Sequence, residues 1–180
     1  LEVIGDEVFP CSYALVDMTL PSTLKKIGRF AFHECNKLKR LDVSHCTEIG
    51  RGAFNMCDEL EEVILPEHLE ELGAGMFNGC ESLKNVKLPS GISQIERNVF
   101  DGCSSLEEIV IPEGVEKIGN YAFRDCTSLK SIMLPDTVKK ISGNAFDGCS
   151  SLGKVIVSEN LADAVIEMLP EELRDKIVVQ

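Results

Sequence analysis

Apolar residues fall on a grid that repeats every 23 residues along this chain. The clearest unit runs from Ile118 to Pro135. An isoleucine is followed five residues on by Phe123, then at intervals of three by Cys126 and Leu129, and the unit closes with Ile132-Met133-Leu134-Pro135. The phenylalanines of successive units are Phe9, Phe32, Phe54, Phe77, Phe100, Phe123 and Phe146, and a leucine follows each by six residues, from Leu15 to Leu152. A unit this short cannot bury its own apolar face, so the period predicts a solenoid in which each rung packs on its neighbours.

Within a rung, Leu129 to Pro135 alternates at its end as a half-buried strand does, with Leu129, Ile132 and Leu134 inward and Ser131 and Met133 outward. Proline after the strand stops ladder pairing because it has no N–H to donate. A turn leads to a second short apolar segment such as Val115 to Gly119. The Gly-x-x-Ala-Phe-x-x-Cys stretch is too short for a full helix and reads as a tight or 3₁₀ turn. Gly28, Gly50, Gly73 and Gly119 share one place, which suggests a backbone angle that other residues reach only with strain; Glu96 and Ser142 stand there in two rungs. One interval, Phe32 to Phe54, is a residue short. The deletion falls near Ser44–Thr47, with Cys46 or Thr47 replacing an apolar residue. Seven repeats are read over residues 1–157. Residues 158–180 are read as a cap, with Leu161, Val165 and Leu169 at helical spacing, a second helical turn after Pro170, and a last strand at Ile177–Val179.

Composition narrows the partners. The chain has 180 residues, a net charge of −12 and no tryptophan, so its core is aliphatic with one phenylalanine per rung. No cluster of Lys or Arg is dense enough to track phosphates, which argues against nucleic acid and anionic membrane. No apolar stretch reaches the roughly 20 residues that span a bilayer.

Cys35, Cys57, Cys80, Cys103, Cys126 and Cys149 share one repeat position and form a ladder of single thiols. Paired Cys-x-x-Cys spacings that zinc favours are absent. Adjacent rungs would bring Cα atoms to a bridgeable distance, but parallel in-register side chains do not point at one another as a disulfide prefers. Buried free thiols, acting as small hydrophobes, are the expectation. His33, His45 and His68 occupy unlike places near turns, and no nucleophile–base set or phosphate loop is present, so neither catalysis nor a cofactor is expected.

Two outward strand columns carry the surface signal. One reads Asp17, Arg40, Glu62, Asn85, Glu108, Ser131, Lys154; the other reads Thr19, Asp42, Ile64, Lys87, Val110, Met133, Ile156. Val110, Met133 and Ile156 therefore lie side by side on a face that meets water, flanked by Glu108, Ser131 and Lys154. Such an exposed apolar run suits a binding strip as well as ordinary sheet propensity.

The motif Val-x-x-Ile-Gly-x-x-Ala-Phe-x-x-Cys-x-Ser-Leu-x-x-Ile-x-Leu-Pro resembles the leucine-rich repeat of the BspA-like bacterial surface proteins, over residues 1 to about 157. The resemblance implies an α/β leucine-rich-repeat solenoid: a right-handed superhelix with a main parallel sheet and a flank of short strands. It also implies a secreted or cell-surface protein, and some members resemble adhesins that bind host matrix proteins. A protein or glycan recognition module is the function expected, with a structural spacer in a larger surface protein as the alternative.

Overall fold

The computed structural model describes residues 1–180, and it is a solenoid built of parallel pairings. The flank strands are two residues each: β1 (Val3–Ile4), β2 (Lys26–Ile27), β4 (Glu48–Ile49), β6 (Gln94–Ile95), β8 (Lys117–Ile118) and β10 (Lys140–Ile141). They pair in register as β1-β2-β4 and β6-β8-β10. The main strands are β3 (Arg40–Asp42), β5 (Glu62–Ile64), β7 (Glu108–Val110), β9 (Ser131–Met133), β11 (Lys154–Val157) and β12 (Ile177–Val179). These pair as β3-β5 and β7-β9-β11-β12. In β3, β5, β7 and β9 the middle residue, as in Ile109 or Ile132, points into the core, which is why inward and outward residues alternate there.

Inside, each phenylalanine lies on the next. Ring centroids are 5.3–5.9 Å apart and the planes differ by 8–19° from Phe9 to Phe146. The backbone beside each ring joins the stack, since the Phe N–H donates to the carbonyl just before the next rung's Phe at 2.8–3.1 Å. Thus the turn side carries a third inter-rung ladder that the sequence reading described only as a turn. Its bonds within a rung run from i to i+3 as separate turns, for example Cys103 N–H to Phe100 O. Chain reversal is achieved by residues with positive φ two before and two after the Phe, including Asn98, Tyr121 and Asp125 and the glycines Gly52 and Gly102. The other recurrent glycine has a different cause from the one the sequence suggested. Gly28, Gly50, Gly73 and Gly119 do not have positive φ; a Cβ at Gly28 would lie 2.3 Å from the Gly5 carbonyl carbon, and one at Gly50 would lie 2.6 Å from the Arg29 nitrogen. Close approach of successive backbones, not dihedral strain, requires them.

Cys46 fills the buried place left by the shortened turn, while Thr47 is exposed. One rung departs from regularity. Residues 85–88 make no backbone hydrogen bond, so the main sheet is interrupted between β5 and β7; the flank is likewise open at Glu70–Leu72. The turn ladder passes through this rung unbroken, from Phe54 N–H to Met76 O and Phe77 N–H to Val99 O. The amide of Leu88 should therefore exchange with deuterium faster than those of Ile111 and Leu134, which occupy the same repeat place and donate to Met133 and Ile156 carbonyls at 2.9 Å. Equal protection at the three sites, read by hydrogen-exchange mass spectrometry, would show that the interruption is not present in solution.

The C-terminal end is closed by α1 (Glu159–Met168) and α2 (Glu171–Arg174). Ser158 caps α1 by accepting from the Asn160 N–H at 3.1 Å, and Leu161, Val165 and Leu169 are buried on one face. β12 then pairs with β11, adding a strand to the main sheet.

Candidate recognition surface

The thiol ladder is internal. Cys35, Cys57, Cys80, Cys103 and Cys126 are buried, Cys149 is half-buried, and all eight cysteines are free, with only Cys11 exposed. Each of the six ladder thiols donates to the carbonyl oxygen of the preceding rung's Phe at 3.0–3.2 Å. Except in the first rung, that carbonyl also accepts the backbone N–H of its own rung's Cys, as Phe77 O does from Cys80, so both lone pairs are used. A cysteine thus fits the place better than an alanine: it packs as a small hydrophobe and also supplies a weak donor. Burial drives the Cys80 and Cys103 thiols well above the ordinary value of 9.0. Hydrogen bonding to the neighbouring cysteine, with burial second, does the same for Cys57 and Cys126. These thiols are neutral and shielded, the opposite of a nucleophile's setting.

A polar ladder that the sequence reading missed runs along the turn side at the place just after each Phe. Asn55 donates to Asn78 Oδ1 at 3.0 Å, and Asn78 donates to Asp101 Oδ2 at 3.1 Å. Asp101, only 3% exposed, also accepts from Asn98 at 2.8 Å and from Arg124 Nε and Nη2 at 2.8 and 2.7 Å. The Arg124 guanidinium lies 4.8 Å from the centroid of the Tyr121 ring. Every oxygen of this buried carboxylate is satisfied, so the cluster serves as bracing between rungs. The column Asn55, Asn78, Asp101, Arg124 was visible as a repeat-register signal; what it could not show was burial.

The candidate binding residues are assembled by β7, β9 and β11. In-register pairing sets Val110 beside Met133 and Met133 beside Ile156, and sets Glu108 beside Ser131 and Ser131 beside Lys154. Val110 is 60% exposed and Met133 38%; Ile156 and Ser131 are half-covered, and Glu108 and Lys154 are exposed. β12 lengthens the apolar column, because Val178 sits beside Ile156. Toward the N-terminus the same face is more polar, with Ile64 a single exposed apolar residue; Arg40 holds Glu62 at 2.9 Å, and Lys87 holds Glu67 at 3.0 Å. There the interrupted rung opens a cleft of about 810 Å³ floored by Ile64, Leu65 and Val86. No group of three or more His, Cys, Asp or Glu side chains is arranged to hold a metal ion, and no helix is long and apolar enough to cross a membrane.

Comparison with known proteins agrees with this architecture. A family profile described as "BspA type Leucine rich repeat region" matches in six copies, over residues 1–107 and 93–165. Among solved structures, a leucine-rich repeat protein from Bacteroides ovatus is 34% identical with a TM-score of 0.71, over 87% of this chain and 47% of that one. A leucine-rich repeat protein from Eubacterium ventriosum is 29% identical with a TM-score of 0.69, over 74% of this chain and 37% of that one. A leucine rich cell surface protein from Faecalibacterium prausnitzii shares the fold at 24% identity and a TM-score of 0.55, over 87% of this chain and 57% of that one. The chain thus spans between 37% and 57% of the length of these three relatives. No curated protein sequence matches it.

Proposed function

Because the chain belongs to the BspA-type leucine-rich repeat family, we propose that it is a non-catalytic recognition module that docks proteins on the C-terminal half of its main sheet at a bacterial cell surface. One observation carries the reading: Val110, Met133 and Ile156 form an apolar column on a solvent-facing sheet. Interface centres favour apolar groups and methionine inside a polar rim, which Glu108, Ser131 and Lys154 supply. Surface exposure is supported by the Faecalibacterium relative, a cell surface protein. Among recognition targets, host matrix proteins fit the family resemblance and glycans come second, since the strip offers few hydrogen-bonding groups. A spacer role within a longer protein is favoured only by the share of the relatives' length that the chain spans.

The test uses an array of immobilised extracellular-matrix proteins and glycans. Met133 lies mid-column, so Met133→Asp should lower the retained signal by about tenfold or more, as truncation of a central contact does. Lys140→Asp, on the exposed side of β10, should leave it unchanged. Both variants should keep the native circular dichroism spectrum. Equal binding by wild type and Met133→Asp would place recognition elsewhere on the molecule.

A further inference from the structure

The charges beside the apolar column indicate a partner. On the outward columns Arg40, Glu62 and Lys87 are held in ion pairs, and Lys130 beside the strip holds Glu107. Asp17 and Asp42 at the N-terminal end and Glu108 and Lys154 beside the strip make none, and of these only Glu108 and Lys154 pair opposite signs about one strand. Along β7, β9 and β11 the polar column reads negative, neutral, positive: Glu108, Ser131, Lys154. A surface made to meet a partner of one sign would carry the opposite sign throughout. An order that reverses about its midpoint complements itself.

We infer that two copies of this chain pair face to face across this strip, about a two-fold axis running along β9. The inference rests on the reading that this face binds protein, and it names the protein as a second copy. Rotation about the strand direction reverses the order of the rungs and keeps each column opposite itself. Glu108 then faces Lys154 of the second copy, Lys154 faces Glu108 of the second copy, and Met133 meets its own counterpart. Val110 packs against Ile156 of the second copy. The two sheets run nearly aligned, at the roughly 10 Å separation of stacked sheets. The patch covers three strands about 4.8 Å apart, far short of the roughly 800 Å² per partner of a standard interface. The pairing is therefore weak and visible only at high concentration.

Two measurements test it. Sedimentation velocity from micromolar to millimolar protein should show a monomer–dimer equilibrium. Glu108→Lys should weaken it by about tenfold or more, and the double change Glu108→Lys with Lys154→Glu should restore it. Cross-linking with a short bis-thiol reagent such as dibromobimane, in a Cys11→Ser background that removes the exposed thiol, reads the axis itself. Cysteines facing each other across stacked sheets point their thiols into the gap, where a short bridge joins them. Met133→Cys should therefore cross-link to its own counterpart. Val110→Cys should not, since two rung spacings, about 10 Å sideways, separate the copies of that residue. A mixture of Val110→Cys and Ile156→Cys should cross-link. A monomer at every concentration, with no bridge between copies of the Met133→Cys variant, overturns the pairing, while retention on the matrix array would still support docking of another protein on the strip. A dimer indifferent to Glu108→Lys overturns it as well, because the contact then lies on another face.

Discussion

Raising the pH from 8 to 10 lowers folding stability by a few kcal/mol, on the order of 1 kcal/mol for each pH unit per thiol that the fold holds neutral. Cys35, whose pKa is lowered by its hydrogen bond with Cys57, opposes part of the loss. Cys57, Cys80, Cys103 and Cys126 are held neutral in the fold, with pKa values raised well above the ordinary 9.0. In the unfolded chain the same thiols ionise in alkali. The sign follows: their contribution is fully present below about pH 9 and is lost as the pH rises through and beyond it, because only the unfolded state gains by releasing protons. Urea denaturation at pH 8, 9 and 10 measures the loss. Cys103→Ala should flatten the slope. A stability independent of pH over this range, or a slope that Cys103→Ala leaves untouched, would show that the thiols are accessible to hydroxide or bridged.

Truncating Phe100 to alanine costs about 3–5 kcal/mol, the range for loss of a buried aromatic side chain. Phe100 is fully buried and lies between Phe77 and Phe123, with ring separations of 5.6 and 5.4 Å. Phe9 is partly exposed and has one stacked neighbour, Phe32. Phe9→Ala should therefore cost clearly less, as the end of a nearest-neighbour stack frays before its middle. Equal losses in urea melts would contradict an array stabilised rung by rung.

The rung was legible because its apolar places are buried identically in nearly every copy: Phe, Cys and Leu at fixed spacing need no tertiary knowledge to align. For the same reason the cap could be read from Leu161, Val165 and Leu169. What stayed hidden depends on distances between rungs. Gly28 and Gly50 recur for close backbone approach, which in sequence looks the same as a need for positive φ. The interruption at residues 85–88 has no signature, since Val86 and Leu88 keep the pattern of their neighbours. Asp101 reads as a surface acid until Asn78, Asn98 and Arg124 are seen to enclose it. The apolar column was readable as residues; that Glu108 and Lys154 lack partners required side-chain positions.

The central claim is that recognition resides on the outward face of β7, β9 and β11. Methyl-resolved NMR of Ile-, Val- and Met-labelled protein tests it most directly, recorded as the protein's own concentration is raised and then as a matrix protein retained on the array is added. The methyl signals of Val110, Met133 and Ile156 should move first and farthest while that of Ile64 stays fixed. Shifts centred on Ile64 and Val86, or no shift in either titration, would contradict the account.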